Sequence, residues 1–245
     1  MTTTGDLDEE AILEVLKGMH TDEDHDPNEG LRERKKRRVR QQISDTATAM
    51  FLVHGFDKVT VARIAAACEV SEQTVFNYFP TKESMFLDRA DAMTNAVADA
   101  VREPGSVSLA EAVVQALDGE THPVQQEAMD EALQLHLSRL FFDVAAGSPT
   151  LAAARLANFA RFTDEVSVAL AQRIGADPID PEVQIATQVI AGLVRVRLQS
   201  TFHHVQQATS LAALNDVIRR DLLRAAQLAE PTLTAFDNIR DTAKS

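Results

Sequence analysis

The chain has 245 residues, 45% of them hydrophobic, with nine Gly, eight Pro, one Cys, no Trp and a formal net charge of −13. Such a length holds one large domain or two smaller ones, and the apolar share is enough for a packed core. The single Cys68 excludes an internal disulfide framework, the N-terminus has no signal-peptide pattern and no run reaches the roughly 18 apolar residues of a membrane span, so a soluble, cytoplasmic protein is expected.

Few breakers, abundant Ala and Leu and no convincing strand pattern predict an all-α protein. Residues 1–30 carry ten acids and one Lys, a net −9. Within them "LDEEAILEVLKGM" (7–19) places Leu7, Ala11, Ile12, Val15, Leu16 and Met19 on one face of a short amphipathic helix. "HTDEDHDPNEG" follows as an acidic linker. Three readings stand for this extension: a disordered tail, an acidic competitor folding back on the next segment, or a helix docking on a partner protein.

Residues 31–90 reverse the sign to a net +4, and residues 91–245 return to −8. A basic island between acidic flanks can hold a polyanion although the molecule as a whole is acidic. Its densest part, "RERKKRRVR" (32–40), has seven positive charges in nine residues. It reads either as a solvated helix start or flexible arm, or as a phosphate-contacting segment.

From Arg37 onward Ile43, Ala47, Met50 and Phe51 line one helical face, and Gly55 suits the C-terminal cap. Thr60 is a good N-cap for a second helix of about two turns, with Val61, Ile64, Ala65 and Cys68 on its apolar face. Ser71 caps a third short helix, Glu72 to Phe79, which Pro80 ends. Thr81 then caps a longer fourth helix. Two short capped helices behind a longer support helix make a helix-turn-helix. Val70, Val75, Phe76 and Phe79 are expected to anchor the third helix, with Gln73, Thr74, Asn77 and Tyr78 outward. Gln and Asn pair with adenine edges, and Thr meets a thymine methyl or a phosphate. A structural helical hairpin is the plain alternative.

The stretch "TVARIAAACEVSEQTVFNYFPTKESMF", with "FLVHGFDKVTV" upstream, resembles the DNA-binding domain of TetR-family transcriptional regulators. The elements that carry the resemblance are Ile64-Ala65, Val70-Ser71, Thr74, Phe76, Tyr78-Phe79 and Lys82-Glu83, over residues 38–90. It implies phosphate contacts from Thr60, Ser71, Tyr78 and Lys82, base contacts from Gln73, Thr74 and Asn77, and backbone or minor-groove contacts from Arg38 and Arg40. Three positions depart from the pattern: Glu69 stands where relatives often have Gly, Gln73 likewise, and Phe76 where they often have Tyr. A left-handed Glu69 would cost about 1 kcal/mol relative to Gly, and Phe76 has no hydroxyl for a phosphate.

Beyond this region helices are predicted over 107–118, 124–145, 150–174, 182–207 and 210–229, with "GADPIDPE" (175–182) as an interruption. The expected domains are an acidic extension (1–30), a helix-turn-helix domain (31–80), an effector-binding and dimerisation domain (81–230, with 81–102 as connecting helix) and a tail (231–245). The resemblance implies a homodimer formed by the last two long helices. Ile185, Val189, Leu193, Val196, Leu214, Val217, Ile218, Leu222 and Leu228 are candidates for that interface or for the subunit's own core. It also implies an effector pocket, with Leu137, Phe141, Phe142, Phe159 and Phe162 as apolar candidates. His136, Arg139, Asn158 and Arg161 are the polar ones. Such a lining favours an apolar or aromatic small molecule.

An enzyme is not expected. No Glu-x-x-His or His-Glu-x-x-His occurs, and neither a phosphate-binding Gly loop nor a nucleophile–base pair is suggested, so no cofactor, metal or catalytic residue is assigned. The reading is a DNA-binding regulator, a repressor released from a palindromic operator by an effector. The alternative is a helical interaction protein whose degenerate helix-turn-helix binds a protein partner.

Overall fold

The computed structural model describes Ile12, Glu14 and residues 30–102, 107–119 and 130–242. Among them the regular elements are helical: α1 (Leu31–His54), a 3-10 turn (Phe56–Lys58), α2 (Val61–Ala67), α3 (Glu72–Tyr78), α4 (Lys82–Arg102), α5 (Leu109–Gly119), α6 (Glu131–Gly147), α7 (Pro149–Ile174), α8 (Pro181–His204) and α9 (Leu211–Thr242). None of the described helices is long and apolar enough to cross a membrane. Most of the N-terminal amphipathic segment and its linker lie outside the described residues. Ile12 and Glu14 are both helical, and the Ile12 side chain is 1% exposed.

By packing, the chain falls into two compact units: Met1–Arg89 with His122–Ala154, and Ala90–Thr121 with Arg155–Ser245. The first contains α1 to α3, the start of α4, and α6. Its centre is α1, where ten consecutive residues from Ile43 to Leu52 are buried. Ten residues are nearly three turns, so every face of this stretch is covered. The packing neighbours of α1 include α2, the 3-10 turn and α6. A chain of rings runs through this core. Phe51 meets Phe56 at 5.0 Å, Phe56 meets Phe86 at 6.1 Å, and Phe86 stacks on Phe141 at 4.4 Å with planes 8° apart. Ring pairs of this kind contribute about 0.5–1.5 kcal/mol each beyond the area they bury. The Ser148 hydroxyl adds a hydrogen bond to Asp57 Oδ1 at 3.0 Å while capping α7 through the Leu151 amide.

The second unit is built on α5, α7, α8, α9 and the remainder of α4. Val97 and Val101 of α4, Val113 and Leu117 of α5, Phe162 and Leu170 of α7, Ile190 and Val194 of α8, and Leu233 and Phe236 of α9 share one core. Arg173 is buried in it, paired with Asp237 at 2.8 Å and donating to the Val101 carbonyl at 3.1 Å. Between α7 and α8, Gly175 takes φ 72°, and Asp177 and Asp180 bond local amides before Pro181 opens α8.

Three elements differ from the sequence expectation. Helix α1 starts at Leu31, not near Arg37, so the basic run lies within its first ten residues and is not an arm. Helix α3 stops at Tyr78 because Phe79 is already extended ahead of Pro80. The helix expected over 210–229 runs through Pro231 to Thr242. Proline removes one helical hydrogen bond there, but Leu233, Phe236 and Ile239 beyond it pack into the core.

Candidate nucleic-acid interface

Each short helix is fixed at its start by a side-chain cap. Thr60 Oγ1 accepts from the Arg63 amide at 3.3 Å to begin α2. Ser71 Oγ accepts from the Thr74 amide at 3.0 Å and lies 2.8 Å from Thr74 Oγ1. Thr81 and Ser84 bond reciprocally at the start of α4. Such caps are worth about 1 kcal/mol each, which matters for helices of seven residues that would not persist alone. Between α2 and α3 the chain reverses in a Schellman motif. The Val70 amide reaches the Ala65 carbonyl at 3.0 Å, and the Glu69 amide reaches Ala66 at 3.2 Å. That pattern needs a left-handed residue after the C-cap, and Glu69 supplies it with φ 55°.

The inward side of α3 is held by buried Val75, with Phe79 just beyond its end. Glu72, Gln73, Phe76 and Asn77 share the exposed side, while Thr74 and Tyr78 are half-buried. Gln73 Nε2 donates to Asn77 Oδ1 at 3.1 Å, one helical turn apart, a bond that does not use the Gln73 side-chain oxygen or the Asn77 side-chain NH2. Phe76 corrects the expectation that it anchors α3. The residue is 42% exposed on the polar face. Val75 and Phe76 are adjacent, about 100° apart around the helix axis, and Val75 takes the inward position.

The cations divide into two sets. Arg38 and its neighbours back to Leu31 are exposed along the first turns of α1. Arg40 instead donates to the Tyr78 carbonyl at 2.8 Å, pairs with Asp88 and lies 4.3 Å over the Phe79 ring. It ties the end of α3 to α1 and α4. Lys82 is likewise turned inward. Its ammonium donates to the carbonyls of Phe56 at 3.0 Å and Val59 at 3.1 Å and sits 4.1 Å over the Phe56 ring. Two of its three donors are spent on holding the segment that carries Thr60. Cys68, at the end of α2, is buried, and that burial pushes its thiol pKa up, with the Asp45 charge adding to the rise and a hydrogen bond from Thr46 opposing it.

The remaining candidates sort by unit. Leu137, Phe141 and Phe142 are buried in the first unit, with His136 and Arg139 half-buried on the same helix. Phe162 is buried in the core of the second, where Phe159 packs beside it under the Arg195 guanidinium at 5.2 Å. Arg161 is exposed and bonded to Asn158. The predicted pocket set is thus shared between two units rather than gathered within one. Of the dimer candidates, Leu193, Leu214, Ile218 and Leu222 are buried inside the subunit. Ile185 is 58% and Leu228 84% exposed, and Val189, Val196 and Val217 are half-buried. An open groove of about 670 Å³ lies between α8 and α9, bordered by Val196, His203, Asp221, Arg224 and Leu228.

Comparison with known proteins places these features. Residues 43–88 match the model of bacterial regulatory proteins of the tetR family. The chain is 31% identical over 193 residues to the HTH-type transcriptional regulator TcmR of Streptomyces glaucescens, covering 76% of this chain and 82% of that one. It is 29% identical over 123 residues to the HTH-type transcriptional repressor AcnR of Corynebacterium glutamicum, covering 41% of this chain and 64% of that one. Among solved structures, a TetR-family regulator from Mesorhizobium loti aligns with 79% of this chain and 98% of its own, at 22% identity and a TM-score of 0.43. One from Streptomyces coelicolor aligns with 87% and 90%, at 15% identity and a TM-score of 0.42.

Proposed function

We propose that this chain, which belongs to the TetR family of bacterial regulatory proteins, works as a two-fold homodimer that represses transcription from a palindromic operator and releases it when a small molecule binds. It is a DNA-binding transcriptional regulator. The observation that carries the proposal is α3 itself: a helix pinned by Val75 from within and by the Ser71 cap at its start, presenting Gln73 and Asn77 as a hydrogen-bonded pair. In the major groove those amides, with Thr74, read base edges. The Thr60 and Ser71 hydroxyls, the Tyr78 side chain, the start of α4 and the exposed turns around Arg38 meet phosphates on either side. Arg40 and Lys82 serve the same surface from behind, by holding α3 and the 3-10 turn in place.

The dimer reading draws on a partly exposed stripe of α8. Ile185, Val189, Gly192 and Val196 follow one another at spacings of four, three and four, the seam period of paired helices. A Cβ on Gly192 would meet nothing within 4 Å, so another helix backbone has room to approach. A two-fold pair of recognition helices matches a palindromic site. Repression is carried over from the repressor AcnR, to which part of this chain is similar. The effector is an apolar or aromatic small molecule taken up by the C-terminal helices. It acts by preferring the arrangement that does not fit DNA. The protein does this work on chromosomal DNA in the cytoplasm.

Selection of bound sequences from a random duplex pool tests the proposal, with Asn77→Ala and Gln73→Ala as controls. A palindromic consensus that broadens at defined positions in the controls is expected. Salt-sensitive binding without sequence preference, or no binding, would overturn it and favour a protein partner for the helix-turn-helix.

A further inference from the structure

The exposed face of α3 has one member that hydrogen bonding does not explain. Phe76 lies beside the Gln73–Asn77 pair on that face, three residues after the first and one before the second. It is not needed to seat the helix, since Val75 and Phe79 are the buried contacts. Among the described residues it is the only phenylalanine that is exposed. A single exposed apolar side chain is ordinary on a protein surface. This one stands where the proposed base contacts are made, beside two amides suited to the adenine edge.

We propose that Phe76 is a specificity-determining residue that reads thymine through its methyl group. Of the four bases only thymine presents an apolar group in the major groove. The ring carries no hydroxyl, so neither a base acceptor nor a phosphate oxygen gains a hydrogen bond from it. Its gain on binding is the water-exposed apolar area it loses, and a methyl is the partner there that removes such area without stranding a polar atom. Because the other strand of an A·T pair offers adenine's donor and acceptor, Gln73 or Asn77 and Phe76 together fit adjacent A·T pairs in each half-site. The inference rests on the reading that α3 enters the major groove, and it adds which base the apolar member of the face selects.

The test uses the full chain and the operator from the duplex selection. Each thymine of a half-site is replaced in turn by deoxyuridine, which removes the methyl and nothing else. One position per half-site is expected to lose about fourfold in affinity, the loss that follows from one unburied methyl. In Phe76→Ala that sensitivity disappears, while Phe76→Tyr and Asn77→Ala keep it. An operator indifferent to deoxyuridine everywhere, or equally sensitive in wild type and Phe76→Ala, overturns the inference and leaves the regulator reading intact. Failure to select any sequence overturns both. Matching thermal unfolding of wild type and Phe76→Ala, expected for an exposed ring, ties the difference to recognition.

Discussion

Replacing Lys82 by methionine keeps the apolar stem and deletes the ammonium that bridges the carbonyls of Phe56 and Val59. Hydrogen bonds from a charged donor contribute roughly 1.5–3 kcal/mol each in the interior. Two features lower that figure here: Lys82 is half-buried, and the Phe56 carbonyl keeps the Val59 amide at 3.3 Å. A loss of about 2 kcal/mol is therefore expected, bonds and cation–π contact together. Thermal unfolding of the purified protein measures it. The same variant should bind its operator more weakly because the segment leading to Thr60 is loosened. Its dependence on salt should stay that of wild type. A lysine that neutralised a phosphate would behave differently, lowering the slope of log K against log salt by roughly 0.9 per contact, close to 2 for a two-fold pair. A slope reduced by that amount with an unchanged melting temperature would refute the clamp.

Glu69→Gly should stabilise the protein by about 1 kcal/mol, since a left-handed backbone strains every side chain with a Cβ; a lowered melting temperature would contradict the turn geometry. Cys68 should resist alkylation in the native state near pH 8, because burial holds its thiol neutral above the usual range, and should react freely once unfolded. Equal rates in the two states would show that the end of α2 is open. Ile185→Glu should shift the protein from dimer to monomer in sedimentation without lowering its melting temperature as a core change would, as that side chain is exposed within the subunit. A dimer that tolerates the charge moves the interface elsewhere.

Local chemistry made part of this legible from the sequence. The Thr60, Ser71 and Thr81 caps and the Gly55 stop need only their neighbours along the chain, and each stands where its residue type pointed. Phe76 was harder because a seven-residue helix is too short for periodicity to decide between two adjacent apolar residues. Arg40 and Lys82 were recognisable as cations, but not by direction. A long side chain reaches either a phosphate outside or a carbonyl inside, and the choice depends on residues such as Phe56, Val59 and Tyr78 brought close only by folding. Phe141 read as pocket lining from its helical stripe. Its stacking on Phe86 joins positions 55 residues apart in the chain, a pairing that no window along the sequence reports. For the same reason the sequence does not separate the buried from the exposed apolar residues of α8 and α9.

Helix α6 has a practical consequence for anyone who would transplant this regulator's specificity. Family members invite chimeras in which the reader of one is fused to the sensor of another, cut in the connecting helix. Here such a cut after Arg102 leaves behind Phe141, the stacking partner of Phe86, and Ser148, which bonds Asp57. The donor fragment would carry its recognition residues intact and still expose the flank of α1 that α6 packs against. The portable piece is therefore discontinuous. It includes a helix that reads no DNA, and residues 131–154 must travel with it.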